Sequence, residues 1–460
     1  MPFDVRVLTV PTGAAEVRFA DVDGDKKAEI LLLSHQPVTG QPDAASLTVI
    51  HGDGAVRTVS LGNRPMFLTT APSIGSAPGT GLWGLGASSW QVWSGDRFVA
   101  GAAIASPLGQ LGRATPEFAQ LAYTVFPGAA ARIAWSQGKY LCTLTPAGSA
   151  ADASCGSVPA PARGELSATW SEGGQVLATV LTPPPLSVND ADGDGVADLL
   201  IPDGKTLAVY YSAAGSTPAT HAIGARAASW TLPIDLGPDT TPREKGKVRR
   251  DVSAVWFDDV DADKRVDLSL LRYVTDGSFF GATAELLYAH GNGAGFAAVQ
   301  TTPLPSAAFA AQLVDVDGDG DKDVTAVLVD VSMGNLARGL LSHVVRAELS
   351  VLRFEAGHFN APAPIHTVSF PLDAPDGFHV DYSHDVDGDK RIDLVIAESG
   401  EVRVYKGTSG ATEATPRWSV PMDVPEGDGT LLTADLDNDG RAEVIVWGKT
   451  SGKLSILRAR

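Results

Sequence analysis

A nine-residue loop rich in aspartate occurs six times in this chain, and each copy runs directly into a short apolar segment. The copies share the pattern Asp-x-Asp-x-Asp-x-x-x-Asp/Glu and begin at Asp21, Asp190, Asp259, Asp315, Asp385 and Asp435. Carboxylates this close together repel one another, so such a loop needs a hard cation to neutralise it. The repetition therefore predicts a repeat protein that binds cations.

The alternating aspartates of each loop can turn toward one centre, where the seventh residue adds a backbone carbonyl and the ninth residue adds a final carboxylate. About six or seven oxygen ligands suit Ca²⁺ better than Mg²⁺, which holds its waters. Zinc is not expected, because no Cys or His recurs in the register. We predict about six structural Ca²⁺ sites, whereas ordinary acidic turns without metal are the alternative. The predicted ligands are Asp21, Asp23, Asp25, Lys27 and Glu29; Asp190, Asp192, Asp194, Val196 and Asp198; Asp259, Asp261, Asp263, Arg265 and Asp267; Asp315, Asp317, Asp319, Asp321 and Asp323; Asp385, Asp387, Asp389, Arg391 and Asp393; and Asp435, Asp437, Asp439, Arg441 and Glu443.

An EF-hand opens with the same aspartates, but it needs an acid at its twelfth position and a helix on each side. The twelfth position is apolar in all six loops, where it is Leu32, Ile201, Leu270, Ala326, Ile396 or Val446. Short runs of branched residues bounded by turn signals indicate strands that are buried on both faces. The loops are therefore predicted to connect strands.

The spacing of the loops is typical of a repeat array such as a β-propeller, in which each unit has four antiparallel strands. Metal-loop blades are predicted to start near residues 14, 186, 252, 309, 377 and 429, and two degenerate blades without acids should lie within residues 65–165. We expect an all-β chain that forms a single closed β-propeller domain over residues 1–460, with eight blades favoured and seven as the alternative. The orphan strand at residues 3–10 should complete the last blade, which would leave no long sheet edge exposed.

These loops, together with the turns Gly291-Asn-Gly-Ala-Gly-Phe296 and Gly357-His-Phe359, resemble the FG-GAP or VCBS-type repeats that are similar to the integrin-alpha N-terminal domain. The resemblance implies a calcium-bearing β-propeller in which calcium holds each blade together and partners bind the loops on one face. Three loops depart from the family pattern, because their sixth residue is Lys26, Lys264 or Lys390 where a left-handed glycine is common.

The chain has a formal net charge of −19, which argues against nucleic acid as a partner. Cys142 and Cys155 are its only cysteines, and we expect a disulfide between them, with two isolated thiols as the alternative. Calcium sites and a disulfide both favour an extracytoplasmic location, whether periplasmic, cell-surface or secreted. No leader peptide is visible, so we expect the native precursor to carry one or a lipid anchor. No stretch of sequence is long enough to span a membrane.

No catalytic motif is visible, so we expect a non-catalytic module that binds a protein or glycan partner, for adhesion or scaffolding. A lectin-like propeller is the alternative, and a polysaccharide lyase or phosphodiesterase is the third reading. Trp83, Trp90 and Trp93 could form a sugar platform, but core filling is favoured for them. Two further segments are interpreted as structural: residues 379–384 as a polar connection and residues 331–341 as a strand extension or a protruding hairpin.

Overall fold

The structure is a computed structural model, and the residues that it describes are all-β apart from one short helix. It forms two compact units, one of residues Gly13–Leu236 and one of Met1–Thr12 with Gly237–Arg460. The described residues are 3–36, 44–62, 67–72, 80–85, 89–94, 97–103, 117–118, 123–125, 132–137, 140–144, 154–159, 163–171, 174–182, 187–194, 198–202, 206–211, 228–234, 248–276, 281–371, 379–398, 400–409, 412–423, 429–448 and 451–460.

Strand β1 (Phe3–Thr9) belongs to the unit that ends the chain, and the strands of the other unit form five sheets in the described residues. The first sheet is a four-stranded antiparallel meander of β2 (Ala14–Ala20), β3 (Glu29–Gln36), β4 (Ala44–Ile50) and β5 (Val56–Gly62). The second contains β6 (Phe67–Pro72), β7 (Thr80–Leu85), β8 (Ser89–Trp93) and β9 (Phe98–Ala103), with β10 (Glu117–Phe118) parallel to β6. The others are β11 (Tyr123–Val125), β12 (Arg132–Gln137), β13 (Tyr140–Leu144) and β14 (Ser154–Pro159); the hairpin β15 (Arg163–Ser171) and β16 (Gly174–Thr182); and β17 (Ser187–Asn189), β18 (Asp198–Pro202), β19 (Thr206–Tyr210) and β20 (Trp230–Pro233).

The second unit repeats the four-stranded sheet four times among its described residues. Its strands are β21 (Arg249–Asp258), β22 (Asp267–Thr275), β23 (Thr283–Ala289) and β24 (Gln300–Leu304); β25 (Ala307–Val314), β26 (Asp323–Val329), β27 (Val344–Leu352) and β30 (Ala363–Pro371), with the small hairpin β28 (Phe354–Glu355) and β29 (His358–Phe359); β31 (His379–His384), β32 (Asp393–Glu398), β33 (Glu401–Tyr405) and β34 (Trp418–Pro421); and β35 (Gly429–Ala434), β36 (Glu443–Gly448) and β37 (Lys453–Ala459) with β1.

The N-terminal strand completes the last sheet, as expected. Strand β1 pairs antiparallel with β37 from Phe3 opposite Ala459 to Thr9 opposite Lys453, and the sheet order is β1-β37-β36-β35. No sheet closes on itself among the described strands. The all-β class is therefore confirmed, while the closed eight-bladed propeller stays a prediction.

The apolar segments that follow the loops form the centre of each core. Residues Ile30, Leu31, Leu32 and Leu33 of β3 are at most 1% exposed, although they are consecutive in sequence. A strand places successive side chains on opposite faces of the sheet, so such a run must be covered on both faces. The cores of the two units follow this rule, because the strand after each loop is buried.

Residues 331–341 are neither a hairpin nor a strand extension, so that prediction is wrong. Helix α1 (Met333–Ser342) occupies the segment, and the side chain of Ser332 caps it by accepting a hydrogen bond from the amide of Asn335. A serine cap followed by leucine, alanine and arginine favours a helix.

The part of the chain that the structure describes contains no helix of the length and hydropathy needed to cross a membrane.

Two sequence predictions concern residues of the sheets that contain β6–β10 and β11–β14. Cys142 and Cys155 lie directly opposite each other on β13 and β14, which is compatible with a cross-strand disulfide, and the bond itself stays a prediction. Trp83 and Trp93 are 4% and 6% exposed, so both fill the core as favoured. Val196 and the side chain of Trp90 lie outside the described residues.

Candidate metal sites

Each aspartate loop connects the first and second strands of a sheet, and its ninth residue is the first residue of the second strand. This position buries the six ninth-position carboxylates, which are at most 5% exposed. In every loop one of the carboxylate oxygens accepts a hydrogen bond from the amide of the second loop residue. The donor–acceptor pairs are Val22 and Glu29, Ala191 and Asp198, Val260 and Asp267, Val316 and Asp323, Val386 and Asp393, and Leu436 and Glu443, at 2.8 to 3.3 Å.

The second oxygen of the ninth carboxylate reaches the turn after the third strand in three loops. The amides of Gly291, Phe354 and Gly407 donate to Asp267, Asp323 and Asp393 at 2.7, 2.9 and 2.7 Å. A Cβ at Gly291 would lie 2.1 Å from the Val266 carbonyl oxygen, and one at Gly407 would lie 2.3 Å from that of Ile392. Glycine is therefore required at two of these three positions, Gly291 and Gly407.

The first aspartate closes each loop by accepting hydrogen bonds from later amides. In the fifth loop, Asp385 accepts from Gly388 at 2.6 Å and from Lys390 at 2.5 Å. These donors have φ values of 84° and 70°, so the loop has two left-handed residues. Lys26 and Lys264 also have a φ of 70°, which shows that lysine occupies the sixth position without a change in loop conformation.

The side chains of the first, third and fifth residues come together in the first three loops. Ligand atoms of Asp21, Asp23 and Asp25 all lie within 4.8 Å of one another, and the groups Asp190, Asp192, Asp194 and Asp259, Asp261, Asp263 meet the same limit. Burial raises the pKa of Glu29 to about 7 and the pKa of Asp267, Asp323 and Asp393 to about 6. Buried carboxylates that lie close together resist ionisation unless a positive charge compensates them. These sets of carboxylate oxygens therefore fit a cation that prefers oxygen ligands.

A further residue faces each loop from the opposite strand, and sequence reasoning missed it. The residue after the ninth position pairs with a residue at or near the end of the third strand, as Leu268 does with Ala289, so the next residue along the chain lies opposite the ninth acid. These six residues, which we call the facing residues, are His51, Tyr211, His290, Arg353, Lys406 and Arg458.

The facing residues reach the carboxylates of their own loops. Nδ1 of His290 lies 3.1 Å from Asp261 and 3.3 Å from Asp267, and Nδ1 of His51 lies 3.5 Å from both Asp23 and Glu29. The third strand of each sheet returns beside the loop, so two loops have next to them a histidine that lies outside the nine-residue pattern. The repeated His-Gly-x-Gly sequence at residues 51–54 and 290–293 is the signal that could have revealed it.

The facing residues of the last three loops are permanent cations. Arg353 lies 2.9 Å from Asp317, and Nζ of Lys406 lies 2.6 Å from Asp387 and 2.9 Å from Asp389. Arg458 contacts Asp437 and lies 3.3 Å from Glu443. Facing the second loop, Tyr211 has a pKa raised by burial and by the charges of Asp192 and Asp198.

Residues 379–384 form strand β31, so their interpretation as a connection between strands is wrong, although they carry a polar cluster. The buried carboxylate of Asp381 accepts hydrogen bonds from the hydroxyl of Ser383 and from the amide of Thr433. Nδ1 of His384 lies 2.7 Å from the Ser383 hydroxyl and 2.8 Å from that of Thr433. These contacts join β31 to β35, and the imidazole does not contact the carboxylate in the way that a general base and its orienting acid would.

The chain was compared with curated proteins, with solved structures and with protein families. No curated protein matches it. Among solved structures, it is similar to the Bacillus licheniformis rhamnogalacturonan lyase PL11 (15% identity, TM-score 0.32, covering 72% of this chain and 60% of that chain) and to the rhamnogalacturonan lyase YesW (12%, 0.32, 84% and 60%). It is also similar to the Photorhabdus luminescens Tc holotoxin pore (13%, 0.27, 98% and 28%), so this chain spans less than two thirds of the length of each protein.

Residues 385–446 match the FG-GAP-like repeat family. This segment holds the fifth and sixth loops with the strands that follow them. The predicted resemblance to FG-GAP repeats is thereby confirmed, while the VCBS-type resemblance stays a prediction. The chain carries an FG-GAP-like repeat.

Proposed function

We propose that this protein is a non-catalytic, extracytoplasmic β-propeller that is stabilised by calcium and serves as a binding or scaffolding module. Its four-stranded sheets are the blades, and the two sheets at residues 67–103 and 123–159 are the degenerate blades without metal loops. Protein or glycan partners would bind loops on one face of the propeller. The observation that carries the proposal is the same carboxylate cluster at the start of the second strand in six sheets.

The metal part of the proposal rests on hydrogen-bonding geometry. The amides of each loop donate to carboxylate oxygens, and every donor of this kind holds a ligand in position before the ion arrives. In the fourth loop, Asp319 Oδ1 accepts from Asp321 at 2.9 Å and Asp317 Oδ1 accepts from Asp319 at 3.3 Å. The remaining oxygens can then bind Ca²⁺, which accepts six to eight oxygen ligands in flexible geometry.

A structural role for the ion follows from where the loops lie. Each loop joins two strands of one sheet, and its ninth acid also holds the turn after the third strand in loops such as that of Asp393. An ion at this point would link three strands of the sheet. Removal of the ion would therefore lower the stability of the sheet, which is a structural role.

The protein as purified is tested first for calcium content and for melting temperature after metal removal. We expect about six bound Ca²⁺ per chain and a lower melting temperature in the stripped protein. The variant Asp319→Asn should lose one ion, because the amide keeps the acceptor for Asp321 and removes the charge. Asp423→Asn is the matched control, since this 75% exposed acid pairs with Lys453 outside any loop.

Absence of calcium together with an unchanged melting temperature would refute the metal proposal. Partner binding is tested by capture from a cell-envelope extract with loaded and with stripped protein. We expect retention only with the calcium-loaded protein. Turnover of a polysaccharide or phosphodiester by the stripped protein would contradict the non-catalytic assignment.

A further inference from the structure

The third loop and its facing histidine bring one nitrogen and two carboxylates to a common point. Ligand atoms of Asp261, Asp267 and His290 all lie within 4.8 Å of one another. The Nδ1 atom of His290 is buried, and among the described residues it has no hydrogen-bond partner, although both carboxylates are 3.1 to 3.3 Å away. The oxygens therefore lie near the nitrogen without lying in line with a ring N–H.

These separations are those of ligands that share a small cation. Two ligands about 2.0 to 2.1 Å from a tetrahedral Zn²⁺ are about 3.3 Å apart. Calcium has ligand distances of about 2.3 to 2.6 Å and takes oxygen rather than imidazole. The separations around His290 are thus compatible with a shared cation, and it is the nitrogen ligand that favours a first-row metal over calcium.

A buried hydroxyl provides a second, independent observation at the same site. Tyr288 is 2% exposed, and its hydroxyl has no hydrogen-bond partner among the described residues. Tyr288 lies two residues before His290 and pairs with Ser269, two residues after Asp267, so its side chain is on the same face of the sheet as both. A buried polar atom without a partner is costly, so an additional group at this centre would satisfy it.

The first loop has a corresponding imidazole and pair of acids in the other unit of the chain. Ligand atoms of Asp23, Glu29 and His51 also lie within 4.8 Å of one another, and Glu29 is 1% exposed. The nitrogen lies 3.5 Å from each carboxylate. In both loops the imidazole occupies the facing position that Arg353, Lys406 and Arg458 occupy elsewhere.

We propose that the third and first loops are mixed nitrogen–oxygen sites that bind a first-row divalent cation such as Zn²⁺ in preference to Ca²⁺. Imidazole is a good ligand for these metals and a poor one for calcium, and the carboxylates supply the charge. His290 with Asp261 and Asp267 forms the first site, and His51 with Asp23 and Glu29 forms the second. The inference rests on the proposed cation role of the loops and divides them into two chemical classes.

The test uses the full chain, stripped of metal and then saturated with millimolar Ca²⁺, which is titrated with Zn²⁺ by calorimetry. We expect Zn²⁺ to displace about two of the bound Ca²⁺ ions. His290→Gln and His51→Gln should each remove one Zn²⁺ site and the double variant both. The affinity lost at each site should exceed about 100-fold, because loss of outer-shell partners alone costs about 10- to 100-fold.

Two matched variants separate the ligand role from loss of fold. His358→Gln changes an exposed histidine outside the loops and should leave both Zn²⁺ sites intact. Lys406→His places an imidazole at the facing position of the fifth loop and should create a third Zn²⁺ site. Substitution of Co²⁺ for Zn²⁺ gives a visible absorption spectrum that must change in the histidine variants if nitrogen is a ligand.

The proposal is overturned if the calcium-saturated protein takes up no Zn²⁺, or if the double variant keeps both sites with a native circular dichroism spectrum. Calcium content is measured in parallel without Zn²⁺. Two Zn²⁺ ions bound by a chain that binds no Ca²⁺ would refute the proposed calcium scaffold and retain this inference. Six bound Ca²⁺ without Zn²⁺ uptake would support the calcium scaffold and refute this inference.

Discussion

Calcium should stabilise this protein more strongly at alkaline pH than at acidic pH. The reason lies in the ninth-position acids, whose burial raises the pKa of Asp267, Asp323 and Asp393 from 3.8 to about 6. The pKa of Glu29 rises in the same way, from 4.5 to about 7. In the metal-free fold these groups bind protons that the unfolded chain has already released.

The stability that such a group contributes to the metal-free fold is present below its unfolded pKa, near 4, and is lost as the pH rises through its folded pKa, near 6 to 7. A rise in pKa from 3.8 to about 6 corresponds to about 3 kcal/mol lost from the free energy of unfolding for each aspartate. A bound Ca²⁺ replaces the proton and compensates the charge. The calcium-loaded fold should therefore keep its stability as the pH rises.

The assay compares melting temperatures of resin-stripped and calcium-loaded protein at pH 5, 6, 7 and 8. Stripping by resin avoids the pH dependence of a soluble chelator. We expect the difference in melting temperature between the two forms to widen steadily with pH, and calcium binding near pH 6 to release protons into a weakly buffered solution. A difference that stays constant or narrows toward pH 8 would refute the assignment of the buried acids as ligands.

Four further outcomes are expected. Lys406→Met should lower the free energy of unfolding of the stripped protein by about 1 kcal/mol, because Asp387 and Asp389 lose their cationic partner. It should also raise the calcium affinity of the fifth loop, because the ammonium group no longer competes with the ion. Chemical denaturation measures the first effect and calorimetry the second. Deletion of residues 2–10 should lower the melting temperature, because β37 loses its partner strand. Gly407→Ala should abolish the fifth site and lower the melting temperature, since its Cβ would lie 2.3 Å from a carbonyl oxygen, whereas Gly334→Ala in α1 meets no atom within 4 Å. Non-reducing mass spectrometry should find Cys142 bonded to Cys155, and two free thiols would contradict this.

Much of the local structure follows from the sequence because the loop itself is so constrained. The alternating aspartates, the left-handed positions and the branched residues after the ninth acid together leave few conformations to the chain. Strands β3, β22 and β36 accordingly begin at the predicted acids Glu29, Asp267 and Glu443. The pairing of residues 3–9 with the last strand followed from the need to cover an open edge.

Other features could not be predicted from local pattern. The helix Met333–Ser342 lies in a segment whose leucines fit a strand as well as a helix, and Ser332 decides the outcome through a cap that only the folded chain reveals. The facing residues were missed for a different reason. In sequence, the second and third strands of the sheet lie between each ninth acid and its facing residue. Only the pairing of these two strands, such as Leu268 opposite Ala289, brings the two residues together.

The facing position explains how one fold can carry loops of different chemistry. In each of these loops the amide of the second residue donates to the ninth acid whichever side chain stands at the facing position, so His290, Arg353 and Lys406 can all occupy it. The facing side chain can therefore vary in charge. An arginine or lysine neutralises part of the carboxylate cluster, whereas a histidine leaves that charge to a metal ion. The number and kind of ions bound would then be set by six residues that lie outside the nine-residue loops.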